Sequence, residues 1–379
     1  MSMQPPFAPL IALVALAMVM SCATHETGHR SERSAPFVLE GVRDLTRVAQ
    51  LTGKESMNRT DRFGVYGADL GSMFRSGNRT YFVFGDTFGK RSPYWTGAGG
   101  EDWRSNTIAY SRDTDPADGI TFDGWITDQQ GAAKELIHSK KVDDDEITVI
   151  PTYGVAVGNA MYLFYMSVKH WGAPGHWTCT YAGVGRSTDG GQTWTELTSP
   201  RWPGDSNFVQ VSIFQQDREL LMWSIPAGRF GGVTLMKVGS ADIEHADRYR
   251  YFAGMRDGRP QWSHDMTKAA LVVKPPVGEL SVIRDNYLNG WIMTYLNEKT
   301  HNLEIREGFA PWGPWGPAKT LVSARRYPGL YGAFMLPEYT GNHGRTIYFT
   351  MSQWDPYNVF WMRADLVRAH SERGEAVAP

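Results

Sequence analysis

Polar and apolar positions alternate with a period of two along most of this chain, and long stretches with the 3.6-residue period of a helix are nearly absent. The alternating runs come in pairs, each pair joined by residues that favour tight turns. Residues 70–75 pair with 80–84 around Gly77-Asn78, and residues 148–157 pair with 161–166 around Gly158-Asn159. A third pair is 208–214 with 220–224, turning at Gln216-Asp217. A fourth is 280–284 with 291–296, and a fifth is 331–336 with 346–351, turning around residues 341–344. Five hairpins over residues 37–368 give a spacing of about 66 residues, enough for four strands and their loops in each unit. The fold class this predicts is all-β, a five-bladed β-propeller, with residues 37–48 completing the last blade and closing the ring. A pair of β-sandwiches is the alternative, and five similarly spaced hairpins fit it less well.

Ser187-Thr188-Asp189-Gly190-Gly191-Gln192-Thr193-Trp194 matches the Asp-box, S-x-D-x-G-x-T-W, a turn common in sugar-active propellers. Its Asp is expected to accept hydrogen bonds from loop amides while its Trp packs into the blade. Asp189 is therefore assigned a structural role, away from the chemistry.

The first hairpin carries the candidate chemistry. Asp69 lies eight residues before Gly77 and Asp86 eight after Asn78, so a hairpin in register opposes them on one face, with Cβ atoms about 5 Å apart. Two carboxylates that close cannot both ionise freely, and at least one pKa should rise. A glycosidase derives an acid and a base from two like side chains in this way. The same offset from the turn of the fourth hairpin lands on Glu279, at the same height in another blade. Asp69, Asp86 and Glu279 are the candidate catalytic residues. Asn106, His170, Trp171, Tyr331, Gln353 and Trp354 are candidates for binding substrate, with the aromatic rings as stacking faces for sugars.

Acidic residues 143–146 read as a solvated loop, although Asp145 or Glu146 would reach the channel mouth or hold Ca²⁺ if the loop turned inward. The sequence shows no zinc-ligand spacing, no nucleotide-binding glycine motif and no nucleophile elbow, so neither metal nor cofactor is expected. The Trp312–Pro317 stretch reads as a rigid exposed connector.

Composition narrows the partners. The 38 basic and 40 acidic residues give a net charge of −2 without a basic stripe, which argues against nucleic acid. Residues 8–20 form an apolar run of signal-peptide length, too short to span a membrane, and Ser21-Cys22 follows it as in a lipoprotein cleavage site. The expected layout is a signal peptide at 1–21 and a lipidated polar tether at 22–36. A catalytic propeller at 37–368 and a tail at 369–379 follow. A plain secretory signal is the alternative, because no Lys or Arg precedes the apolar run. With Cys22 acylated, Cys179 has no disulfide partner, and a chain this long needs no disulfide. A membrane-anchored monomer is expected.

Several stretches occur in an order that resembles one bacterial propeller family: GADLG with FVFGDTFG, TVIPT with YLFYMSV, the Asp-box, GELSV, YGAF and MSQWDPYNVFWMR. That family, first catalogued as a domain of unknown function, comprises endo-D-arabinofuranosidases (endo-D-arabinanases) acting on the D-arabinan of mycobacterial walls. The resemblance covers nearly the whole mature chain. It implies a five-bladed propeller, glycoside hydrolysis and a catalytic role for Asp69 and Asp86. Two other classes stay open: a non-catalytic carbohydrate-binding propeller, and a propeller glycosidase acting on L-arabinan or sialosides. Arg186, Arg229 and Arg325 form no convincing sialic-acid cluster in the sequence.

Overall fold

In the computed structural model the described residues are 37–92 and 94–369. The proposed signal peptide, Cys22, the tether and nearly all of the tail lie outside them. The described residues form five small antiparallel sheets in a ring, a five-bladed propeller with only short 3-10 turns for helix. None of these helices is long and apolar enough to cross a membrane.

Each blade begins with the expected hairpin, its first strand innermost. Blade one opens with Gly67–Ser76 and Arg79–Phe88, and blade two with Thr148–Val157 and Ala160–Trp171. Blade three opens with Gln210–Gln216 and Glu219–Ile225, and blade four with Leu280–Asp285 and Gly290–Asn297. Blade five pairs Leu330–Gly341 with Thr346–Gln353 and then Asn358–Arg368. The innermost strands are dominated by buried apolar and small residues because neighbouring blades press on both their faces. Small hydroxyls join neighbouring blades near the axis. The Ser212 hydroxyl accepts from the Val282 amide at 2.9 Å, the Ser281 hydroxyl from Met335 at 2.9 Å, and the Ser352 hydroxyl from Leu70 at 2.8 Å.

The N-terminal strand Leu39–Gln50 pairs antiparallel with Asn358–Arg368 and closes the ring, as its alternation predicted. Its start is fastened to blade four as well. One carboxylate oxygen of buried Glu307 accepts both the Val38 and the Leu39 amide at 2.8 Å, and Phe37 stacks on Phe309 with ring centroids 4.5 Å apart. The Trp312–Pro317 stretch differs from expectation. Trp312 and Trp315 pack against the apolar layer shared by blades three and four, and the buried Trp223 indole donates to the Pro311 carbonyl. The indoles bury more apolar surface there than an exposed loop would allow.

Candidate active site

A cavity of about 810 Å³ opens at one end of the propeller axis. All five blades line it. Asp69, Asp86 and Glu279 lie inside, while Trp171 and Trp354 stand half-exposed at the rim. The volume falls in the range of ordinary small-ligand sites.

The first hairpin holds the register that placed its two acids level, but not as a regular opposed pair. Ala68 pairs with Thr87 and Ser72 with Val83, both symmetric about Gly77-Asn78. Between them Leu70 pairs with Phe84, so Asp69 faces Gly85 and Asp86 together, and Gly71 takes up the extra residue on its own strand. Two compensating bulges thus re-aim the side chains without slipping the hairpin. Leu70 (φ 67°) and Gly71 (φ 81°) both take left-handed backbone. For a leucine that costs about 1–2 kcal/mol, and the surrounding blades must supply it. Gly85 is required by close approach: a Cβ there would sit 2.6 Å from the Asp69 Oδ1.

Asp69 and Asp86 differ in surroundings. Asp69 Oδ2 accepts from the Tyr331 hydroxyl at 3.0 Å, and the nearby Tyr357 hydroxyl also favours its ionised form. Its Oδ1 is buried with no hydrogen-bond partner among the described residues. Burial, then the neighbouring charge of Asp86, pushes its pKa up to about 7. Asp86 Oδ1 accepts from the Trp103 indole and the Thr148 hydroxyl, both at 2.7 Å. Burial raises its pKa to about 6, and those two donors hold it lower than Asp69. Both carboxyls therefore hold protons well above the ordinary carboxylate range, and they titrate as a pair.

Glu279 is the third carboxyl. One of its oxygens, Oε1, meets the Arg229 guanidinium at 2.9 Å from Nε and 2.8 Å from Nη2. The other, Oε2, is buried with no partner among the described residues. Arg229 is itself built in. It reaches Glu298 at 3.4 Å, lies 4.9 Å over the Tyr331 ring, and donates its backbone amide to the Gly175 carbonyl at 3.0 Å. A carboxylate held this way accepts hydrogen bonds and stabilises nearby positive charge.

Of the other candidates, Trp171, Tyr331 and Trp354 line the cavity. Tyr331 is buried beneath Arg229, so it acts as a hydrogen-bond donor to Asp69 and offers no open stacking face. Asn106, His170 and Gln353 are not brought to the cavity. The Asn106 amide is spent on backbone, donating to the Ile137 and Val149 carbonyls and accepting from the Leu136 and Ile137 amides. Gln353 donates to the Pro328 carbonyl. His170 pairs with Asp143 at 2.8 Å on the surface, and that carboxylate raises the imidazole pKa. Asp143, Asp144 and His170 present their ligand atoms within 4.8 Å of one another, all exposed. Asp145 pairs with Lys140 and Glu146 accepts from Ser167, so neither faces the cavity.

Four residues in or around the site escaped sequence reasoning. Trp103 and Thr148 reach Asp86 from a loop and from the next blade; nothing local marks Trp103, while Thr148 opens the TVIPT stretch. Arg229 was considered only for a sialic-acid cluster. Tyr357 had a signal: it follows Asp355-Pro356 inside the MSQWDPYNVFWMR stretch. It takes φ 64°, an outlier for an aromatic residue, and its carbonyl accepts the Ala68 amide at 3.0 Å. Leu70 and Tyr357, two non-glycine residues with left-handed backbone, both bear on Asp69, one as its chain neighbour and one through its hydroxyl.

The Asp-box forms as expected. Asp189 Oδ1 accepts from the Ser187 hydroxyl at 2.8 Å and the Thr193 amide at 2.9 Å, and the Trp194 indole donates to the Gly191 carbonyl. It follows the far end of strand Trp177–Ser187, whose other end lies at the cavity.

The architecture is shared with solved propellers. A Bacteroides ovatus protein named as a suspected hydrolase matches with a TM-score of 0.56 at 12% identity, over 80% of this chain and 87% of its own. Exo-beta-1,3-galactanase Pc1,3Gal43A from Phanerochaete chrysosporium, a single-residue variant solved with beta-1,3-galactotriose, matches with a TM-score of 0.51 at 11% identity. That match covers 86% of this chain and 67% of the galactanase. At such identities the likeness is one of fold. In sequence, notoamide biosynthesis cluster protein J' of Aspergillus versicolor is 27% identical over 311 residues, covering 77% of this chain and 82% of its own. The pattern of the family described as "Domain of unknown function (DUF4185)" matches residues 55–363, most of the chain, and the protein belongs to that family.

Proposed function

We propose that the protein is a glycoside hydrolase that cleaves internal D-arabinofuranosyl linkages of arabinan. The observation that carries the reading is the pair Asp69 and Asp86: two buried carboxyls inside one cavity, both with raised pKa values. Asp69, the weaker acid, donates its proton to the leaving glycosidic oxygen. Asp86, ionised and fixed by Trp103 and Thr148, attacks the anomeric carbon or takes a proton from the attacking water. Glu279 lines the same space, and its unpartnered oxygen stabilises the positive charge of an oxocarbenium-like transition state. The resemblance to endo-D-arabinofuranosidases supports the substrate class. The glycosidic activity of the galactanase that shares the fold fits the reaction class. A cavity lined from all five blades, with aromatic rims on two sides, suits a chain that continues past the cut in both directions.

Incubation with mycobacterial arabinogalactan and with plant arabinan, followed by sizing of products over time, tests this. The expected result is short D-arabino-oligosaccharides from the first. Only monomer from the earliest points would refute internal cleavage. Cleavage of plant L-arabinan alone would refute the substrate. Retardation by a polysaccharide without any cleavage would leave a binding propeller.

The export reading belongs to the same proposal. A lipid on Cys22 followed by a polar tether would hold the monomeric propeller beside a wall polymer. Replacing Cys22 with Ala should move the protein from the membrane fraction to the soluble one; unchanged fractionation would refute lipidation.

A further inference from the structure

Five aromatic side chains are exposed among the described residues: Tyr94, Trp95, Trp171, Phe230 and Trp354. Trp171, Phe230 and Trp354 lie at the cavity mouth. Trp171 and Trp354 line it, and Phe230 stacks on His176, another lining residue, with ring centroids 4.2 Å apart. Tyr94 and Trp95 project from the loop of residues 89–101, which continues directly from the strand that carries Asp86.

Pro93 in this loop lies outside the described residues; the described ones on either side of it are fastened. The loop's ends are tied by the Gly89 amide to the Glu101 carbonyl at 2.6 Å and the Glu101 amide to the Lys90 carbonyl at 2.9 Å. The Arg91 guanidinium donates to the Gly97 carbonyl and lies 5.4 Å over the ring of Tyr357, the Asp69 partner. Gly97 (φ 72°) is pressed on the Trp354 indole so closely that a Cβ there would lie 2.2 Å from the ring, and Ala98 lines the cavity. One side of the loop therefore completes the cavity wall, and the tip turns two large rings to solvent. Tyr94 is 92% exposed. Single exposed aromatics need no explanation, but two on a loop that also supplies Ala98 to the cavity wall and packs Gly97 on Trp354 extend the aromatic rim outward. Rings on a held loop lose little conformational freedom when a ligand stacks on them.

We propose that Tyr94 and Trp95 form a distal subsite, where a polysaccharide chain leaving the cavity past Trp354 stacks the C–H faces of its sugar rings. The occupant is the furanosyl polymer of the proposed function, on which this inference rests. The subsite makes chain length, as well as linkage, a determinant of turnover. On the opposite flank Trp171, His176 and Phe230 meet the chain on the other side of the cut.

The test compares a long arabinan with an arabino-tetrasaccharide short enough to sit within the cavity. For the Tyr94→Ala/Trp95→Ala double variant, kcat/KM on the polymer should fall about tenfold, chiefly through KM, and by several-fold less on the tetrasaccharide. Tyr94→Phe/Trp95→Phe should restore most of the loss. Met255→Ala, removing an equally apolar and exposed side chain on an outer strand of blade three, should change neither substrate. Equal losses on both substrates, or none on the polymer, would overturn the subsite while leaving the glycosidase standing. If the parent cleaves neither substrate, electrophoresis through arabinan-containing gels decides the point separately. Retardation of the parent that is lost in the Ala double variant upholds the subsite without the enzyme. No retardation, or equal retardation of both, overturns it.

Discussion

Asp69 and Asp189 are the same residue type in glycine-rich turns and bulges of one propeller, yet they sit at opposite extremes. Asp189, at the far end of blade two, has its carboxylate filled by hydroxyl and amide donors, the Thr193 hydroxyl foremost, and its pKa falls to about 2. Asp69, in the cavity, keeps one oxygen with no donor, faces a second carboxylate, and titrates near 7. The turn at Asp189 is local, made by residues within four positions of it. The Asp69 site is assembled from blades one, four and five, and it carries strain at Leu70 and Tyr357. A carboxylate that stabilises a fold is satisfied; one that does chemistry is left incomplete so that substrate completes it.

The largest contrast is expected in activity. Asp69→Asn and Asp86→Asn should each lower turnover by about a thousandfold or more with the fold intact, while Asp189→Ala should leave turnover nearly unchanged and cost roughly 1 kcal/mol of stability or less. Melting temperature and kinetics of the three purified variants separate the roles. Equal loss of activity in all three would break the comparison. Glu279→Gln should retain more activity than either aspartate variant, since its proposed task is electrostatic.

A smaller effect is expected at Gly85. Gly85→Ala forces the Asp69 carboxyl aside by its clash with Oδ1, and activity should drop about a hundredfold with little change in melting temperature. A variant with parental kinetics would show that Asp69 tolerates displacement.

The two aspartates should also drive stability in opposite directions with pH. Unfolded, each titrates in the ordinary carboxylate range near 3.9. Folded Asp69 holds its proton to about 7, so the native state binds more protons between the two values. Its contribution is favourable at low pH and is lost as the pH rises through that window. Folded Asp189 ionises near 2, so its contribution is present above the ordinary range and disappears as the pH falls through it. Denaturant unfolding from pH 3 to 8 should show Asp69→Asn flattening the loss above pH 4 and Asp189→Ala flattening the loss below it. The reverse assignment would contradict the burial argument.

The subtlest test is Tyr357→Phe. Its hydroxyl stabilises ionised Asp69, so removing it should raise that pKa and move the alkaline limb of kcat/KM to higher pH by a fraction of a unit. A downward shift would mean that Asp69 is not the proton donor.

Strand alternation, turn chemistry and spacing between hairpins are local properties, and they were enough for the five blades, the closing strand, the Asp-box and the level placement of Asp69, Asp86 and Glu279. The same count missed the double bulge at Leu70 and Gly71, because a bulge is set by what packs against the strand and not by its own pattern. Placing Asn106, His170 and Gln353 by type or by level along a strand also failed: a polar side chain turns toward whichever backbone group or ion needs it, and that group lies in another segment. The chain by itself determined the architecture and which carboxyls share one height. Only the tertiary structure decided how each is held and that the two aspartate pKa values rise, because desolvation, the Tyr331 hydroxyl, and the Arg229 pairing of Glu279 all come from residues distant in sequence that meet only when the ring closes.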